Sequence, residues 1–374
     1  MSSRTTGTGR PSRLDPDAGA PTVRVLSPTT IMFIKSTAGL AVALVVSVVL
    51  AIGLGPASVH PADTLRYLGA ALTGGTIRLD EVATYEIVWQ LRTPRVLLAA
   101  VVGAGLSAVG AGVQALVRNP LADPFVLGIS SGAAVGAVTV LVTGALAVAG
   151  IYALSVGAFA GALGAAVLVY LAARRRGPGA TSPLRLVLTG VAMAYAFQAA
   201  MALLIYLVPQ GEATATVLYW TLGGFGAATW GSLPLVVVVV LAGIVALRLR
   251  ARDMDVLSLG DETAASSGVD TARLRRELFV LTSVMTGAMV AVSGAIGFVG
   301  LIVPHLVRMV TGAAHARVLV LAPLVGAVLA VWVDLLSRTV VAPRELPLGV
   351  VTALVGVPVF VLLLRRRGYV FGGV

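Results

Sequence analysis

Long uncharged runs, interrupted by short clusters of arginine, dominate the pattern of apolar and polar positions along this chain. From Ser36 to Val59 there is no charged residue. The apolar positions in such runs show neither the two-residue alternation of a half-buried strand nor a helix with one wet face. About 20 apolar residues coiled as a helix cross the roughly 30 Å hydrocarbon layer of a bilayer, so each run reads as a membrane span. With charges as punctuation, the pattern predicts ten spans, near residues 36–58, 95–117, 125–145, 150–173, 186–209, 232–247, 278–296, 297–312, 318–336 and 346–364. The seventh and eighth share one uncharged run, Leu278 to Val307, broken by Gly297, Gly300 and Pro304; a single long kinked helix is the alternative there. In hydrocarbon only helices and closed barrels satisfy every backbone polar group. The runs are far longer than the ~10-residue alternating strands of a barrel, so the expected fold class is all-α and polytopic.

Composition removes the soluble alternative: 58% hydrophobic against 11% charged residues leaves too little polar surface to coat a water-soluble globule. Cysteine is absent, which excludes disulfides and thiol chemistry. Residues 1–30 are rich in Ser, Thr, Gly and Pro with scattered arginines and read as a flexible tail preceding a transmembrane unit over 31–374. The apolar run that follows is longer than the 7–15 residues usual in a secretory leader, so it is expected to be a retained first span, with cleavage near Gly55-Pro-Ala-Ser58 as the alternative. The net charge of +11 is explained by topology. With ten spans and both termini cytoplasmic, 21 of the 27 basic residues fall inside and 6 outside, as expected of a chain whose cytoplasmic flanks retain Arg and Lys. Nucleic-acid binding would need that charge gathered on one soluble face and is not expected.

Gly103-Ala104 and Gly110-Ala111 in the second span recur at the same spacing as Gly287-Ala288 and Gly294-Ala295 in the seventh. These spans run in opposite directions, which suggests two inverted five-helix halves, a frequent transporter plan; close packing of small residues is the simpler reading of the same pattern. Ion-coupled carriers place ionisable groups at mid-depth, and here Asp334 is the one acid within a predicted span, with Arg338 four residues on as an ion-pair partner. A metal site needs three or four convergent ligands, and His60 and His315 fall on opposite sides, so His305 reads as packing. Lys35, the sole lysine, has no glycine turn before it, so there is no phosphate-cradling loop, and no plausible nucleophile–base set stands in water. The chain is not expected to be an enzyme, and its energy would come from a partner. An ion-gradient-driven secondary transporter remains the alternative. Tyr219, Trp220, Phe225 and Trp230 read as an interfacial belt.

Two polar regions stand out. The loop over 248–276 carries a short helix-compatible stretch between Gly260 and Gly268, with Asp261 and Glu262 at its start, where a helix dipole favours acids. Left solvated, Leu257, Leu259 and Val269 would be exposed without gain, which points to docking. On the other side, Arg92 and Arg95 lie where the positive-inside bias does not explain them, and guanidinium suits paired recognition of carboxylates.

Five segments in order carry a resemblance: Leu91-Arg-Thr-Pro-Arg95; Gln114-Ala-Leu-Val-Arg-Asn-Pro-Leu-Ala-Asp-Pro-Phe-Val-Leu-Gly128; the loop 257–269; Gly297-Phe-Val-Gly-Leu-Ile-Val-Pro-His-Leu-Val-Arg308; and Glu345-Leu-Pro-Leu-Gly349 followed by Gly356-Val-Pro-Val-Phe360. Over residues 34 to 367 the chain resembles the iron-siderophore and cobalamin permease family, the membrane subunits of type II ATP-binding-cassette importers. The resemblance implies a ten-helix permease that pairs with a second copy or a paralogue around a central pathway in the inner membrane. A cytoplasmic ATPase dimer, holding the ATP and Mg, would sit below it, and an extracytoplasmic binding protein would dock from outside. It implies that Leu257, Leu259, Gly260, Asp261, Glu262, Ala264, Ala265 and Gly268 couple to the ATPase, and that Arg92, Arg95 and Arg338 receive acids of the binding protein. The cargo would be a ferric siderophore or a similar metal chelate; no cofactor would reside in this chain.

Overall fold

A computed structural model describes residues 28–56, 58–174, 182–207 and 212–366. Most of the expected tail, together with Arg175, Arg176 and Arg367, lies outside these residues. Within them all regular structure is helical: α1 (Pro28–Gly53), α2 (Pro61–Thr73), α3 (Val82–Glu86), α4 (Thr93–Leu116), α5 (Ile129–Thr143), α6 (Ala153–Ala173), α7 (Pro183–Tyr206), α8 (Glu212–Leu222), α9 (Leu233–Leu249), α10 (Ala251–Ser258), α11 (Asp261–Ser266), α12 (Thr271–Ser293), α13 (Val299–Thr311), α14 (His315–Thr339) and α15 (Leu348–Arg366). Six helical stretches among the described residues are long and apolar enough to cross a membrane; α9 and α10, bent by 57° at their junction, pass the same test only when taken together. The helices α5, α13 and the apolar part of α15 are shorter.

The long uncharged run resolves into two helices. α12 ends at Ser293, and the chain crosses a non-helical break, with Gly294 at φ +64° and Phe298 at φ +67°, before α13 begins at Val299. Gly300 and Pro304, expected to mark the break, lie inside α13. The expected second span begins earlier than its apolar run does, because a continuous helical stretch from Leu79, including a π-helical turn at Ile87–Arg92, leads into α4. Helices α2 and α8 had no counterpart among the expected spans. α2 carries Asp63 and Arg66 among its apolar residues, and α8 is only 11 residues long.

At the centre stands α4, buried along most of its length and flanked by α14, α12, α13 and α9. It has small residues on several sides, and these permit the contacts. A Cβ at Gly110 would sit 1.8 Å from the Gly300 carbonyl oxygen, and one at Gly103 would sit 2.2 Å from that of Gly326. Between apolar helices in lipid, where burial from water supplies no drive, such backbone approach is what dispersion contacts depend on. α7 is the opposite case, with Leu186 and Gly190 its buried residues.

Candidate functional site

The two ends of the bundle are defined by α4 and α14, which pack together and run antiparallel through it. Arg95 opens α4 and Arg118 follows its end, about 35 Å apart along a helix of this length. α14 begins at His315, beside Asp255 of α10, and ends beyond Arg338.

At one end the three arginines singled out from the sequence converge. Arg92 Nη1 donates to the carbonyls of Ile52 (3.2 Å) and Gly53 (3.0 Å), and Arg338 Nη2 donates to that of Ala51. These three carbonyls belong to the last turn of α1, where no further helical N–H is available to them; two buried guanidiniums therefore cap a helix C-terminus and complement its dipole. Arg95 takes two carboxylates: its Nε is 2.8 Å from Asp334 Oδ1, and its Nη1 is 2.7 Å from Glu345 Oε1. Asp334 is fully buried and also lies 3.4 Å from Arg338 Nε. The i,i+4 pair expected on α14 is present, and Arg95 shares its acid. All three arginine side chains are largely withdrawn from solvent, whereas that of Glu345 is 50% exposed. Sequence reasoning had missed Glu345 as a member. The available signal was an acid opening Glu345-Leu-Pro-Leu-Gly349 on the side where the extra arginines lie.

The segment following Glu345 leads to a non-helical junction inside the bundle. Leu346 exchanges hydrogen bonds with Ser337: the Leu346 N–H donates to the Ser337 carbonyl at 2.9 Å, and the Ser337 hydroxyl donates to the Leu346 carbonyl. Leu348 N–H donates to the Gly223 carbonyl at 3.0 Å, and Gly224 N–H to that of Ser293 at 2.8 Å. Three breaks between helices thus satisfy one another's backbone groups, as non-helical backbone at membrane depth has to. A small apolar cavity of about 10 Å³ lies among Phe225, Ile296, Leu348 and Thr352. Phe225 faces it as a buried residue, and Trp230 stacks against Trp89 at 4.4 Å while donating to the Trp89 carbonyl at 3.0 Å.

At the other end the polar loop is ordered by its acids. α11 lies between Gly260 and Gly268, as expected. Gly260 has φ +121°, in the region that L side chains rarely adopt. Asp261 is gripped by Arg275 at 2.5 Å, with Arg118 at 3.8 Å, so the start of α11 is tied to the body of the bundle. Leu257 and Val269, expected to need a docking partner to leave water, are instead covered within the chain. Leu257 is completely buried as part of the last turn of α10, Val269 packs on the core, and Ala264 is buried beneath α11. Leu259, Glu262 and Ala265 remain exposed. Asp255 of α10 accepts from the backbone N–H of His315 at 2.8 Å, with the ring Nδ1 at 2.6 Å. Desolvation opposes its charge, but the bonds from His315 and the nearby Arg308 outweigh this and hold its carboxyl below the ordinary carboxylate range. Arg308 in turn donates to Gln114 at the end of α4, and Gln114 donates to the carbonyls of Gly300 and Leu301 in α13.

Asp123, between α4 and α5, is a different kind of acid. It accepts from the backbone N–H groups of Phe125, at 2.8 Å, and of Phe298 in the α12–α13 break. Desolvation exceeds what these neutral donors return, so its carboxyl is pushed up to about 6.

No group of three or more potential metal ligands exists among the described residues. The geometry is that of a bundle with an anchored, outward-presented helical element at one end and a buried charge cluster at the other, joined by two long, closely packed helices. Residues 43–366 match the FecCD transport family. The chain belongs to that family. FecCD relatives include an uncharacterized ABC transporter permease protein, YvrB, of Bacillus subtilis, 39% identical over 87% of this chain and 91% of its own length. The hemin transport system permease protein HmuU of Yersinia pestis is 39% identical over 76% and 85%, and the cobalamin import system permease protein BtuC of Halobacterium salinarum is 39% identical over 82% and 79%. A solved structure described as an inward-facing metal-chelate type ABC transporter superposes with TM-score 0.78 at 31% identity, over 89% of this chain and all of that one. This FecCD protein is accordingly a multi-pass permease subunit of an ATP-driven importer of the inner membrane. It is a transport subunit and not an enzyme, and membership excludes the ion-gradient alternative.

Proposed function

We propose that this permease carries a ferric siderophore or similar metal chelate, in a dimer with a second copy or a paralogue, powered by an ATPase dimer bound to α10 and α11. The observation that carries the reading is the anchored α11: Gly260 and Gly268 set its ends, Asp261 ties it to Arg118 and Arg275, and Leu259, Glu262 and Ala265 face outward for a partner. Buried Leu257 and Ala264 make the element rigid, so displacement of α11 is passed to α10, then through Asp255 and His315 to α14, and through Arg118 and Gln114 to α4. Relatives that import hemin, cobalamin and ferric citrate support a bulky chelate as cargo. ATP and Mg belong to the ATPase.

This end is cytoplasmic, as are both termini, and the arginine cluster faces outward, where a binding protein brings an acid to Arg95; Arg92 and Arg338, expected to receive acids as well, are buried against carbonyls of α1 and support the site from below. Ten crossing elements form two inverted halves, α1 with α4 to α7 and α9 with α12 to α15. In each half a long central helix, α4 or α12, is followed by a break and a short helix, α5 or α13, which supports the pairing. Proteoliposomes holding the permease, its ATPase and its binding protein should accumulate ferric chelate only with ATP. Uptake without ATP, or labelling of Leu259→Cys from outside intact cells, overturns the reading.

A further inference from the structure

Of the three clustered arginines, Arg95 is held differently. Arg92 and Arg338 reach carbonyls of α1, which cannot be abandoned without leaving a helix end unsatisfied. Arg95 meets one carboxylate that is fully buried, Asp334, and one that is half exposed, Glu345. The two acids do different work. Asp334 offsets buried positive charge, and losing it would strand guanidiniums out of water. Glu345 lies in the exposed stretch 341–345 between α14 and α15, and an ion pair with one partner in solvent shifts an equilibrium by only about one- to fivefold. The arginines outnumber the two acids, so the cluster retains attraction for a further carboxylate.

The backbone allows the side chain to leave alone. Leu346 is clamped to Ser337 from both sides and Leu348 is bonded to Gly223, so the chain beyond Glu345 stays in place when its carboxylate swings into water. The other oxygen of Glu345 borders Gly226, where even an added Cβ would lie 3.6 Å away, so neither packing nor a second bond to the described residues locks it. Arg95 would then present its Nη1 edge, already oriented by Asp334, to whatever carboxylate arrives.

We propose that Glu345 is a stand-in for an incoming acid: it occupies Arg95 in the resting permease and is displaced, carboxylate for carboxylate, by an acidic side chain of the docking partner. This rests on the reading of the outer arginines as a docking site and adds the event that admits the partner. The exchange keeps Arg95 paired at every stage and makes capture selective for a carboxylate that competes better than Glu345 does.

The test uses the full-length permease in nanodiscs, with hexaglutamate as the acidic probe and hexaglutamine as the neutral one. Glu345→Gln should bind hexaglutamate about fivefold more tightly than wild type, with the gain shrinking at high salt and no gain for hexaglutamine. Arg344→Gln, an exposed neighbour, should show no such gain. Combining Glu345→Gln with Arg95→Lys, which keeps a charge beside Asp334 but loses the forked geometry, should abolish it. Loss of one negative charge would by itself favour hexaglutamate, but that gain would survive Arg95→Lys, which keeps the charge, whereas a gain from exchange at the Arg95 fork would not. No gain in Glu345→Gln, or a gain that persists with Arg95→Lys, overturns the exchange. The docking reading fails separately, if capture of the binding protein is indifferent to charge reversal at Arg95 while the hexaglutamate gain is present.

Discussion

The two ends of the bundle use arginine in opposite ways. At the α1 end, guanidiniums are withdrawn from water and committed to helix carbonyls and to a buried aspartate, so charge there is part of the packing. At the α11 end, Arg118 and Arg275 act from the body of the bundle on an acid 45% exposed, holding a short element whose remaining surface is left free. The difference shows that a charge count per side, however informative about orientation, does not say what the charges do. One set holds the fold together, and the other fixes the start of a short, largely exposed helix.

The most severe way to break this contrast is Asp334→Ala. It leaves Arg95 and Arg338 buried beside each other without their common acid, and a loss of about 3–5 kcal/mol is expected, seen as a collapse of the monodisperse fraction after detergent extraction. If this variant is as stable as wild type, the cluster is not structural. Asp123 sharpens the comparison, because backbone N–H groups alone oppose its desolvation. Its folded value, about 6, lies above the ordinary 3.8, so the proton is held more tightly when folded. Its contribution to stability is full below about pH 4 and is lost as pH rises through 6, by at most roughly 2–3 kcal/mol. Asp123→Asn should flatten that part of a melting-temperature profile against pH; an unchanged profile would reject the assignment.

At the α11 end the effects should be functional first. Gly260→Val forces a β-branched residue into φ +121°, costing about 1–3 kcal/mol locally, and should reduce ATPase co-purification by tenfold or more while the bundle still extracts as a folded species. Unchanged co-purification would count against α11 as the coupling element. Smallest is Arg66→Ala on α2, whose pairs with Asp63 and Glu81 are partly solvated. No measurable shift in melting temperature is expected, and a clear fall would mean that exposed pairs matter here as much as the buried ones.

The long apolar helices were legible because lipid imposes a local rule: a run of apolar residues of sufficient length becomes a helix whatever surrounds it. α11 was legible for a similar reason, since Gly260, Gly268 and the acids between them mark helix ends within a few residues. α2 and α8 escaped because short helices with polar positions leave no such run. The fate of Leu257 was misjudged because its partners come from distant segments, and exposure inferred from the loop's own sequence takes no account of them.

The sequence by itself determined that the chain is a helical membrane protein and where its short polar helix stands, because hydrophobic length and helix-end residues act along the chain without reference to its folding partners. Only the tertiary structure decided that Arg92, Arg95 and Arg338 converge, that Asp334 serves two of them, and that Glu345 completes the set. The last of these contacts joins residues 250 positions apart, and which guanidinium meets which oxygen depends on how closely α4, α14 and the end of α1 approach. Glycine against backbone sets that approach at Gly103 and Gly326, a fact of packing that no single segment contains.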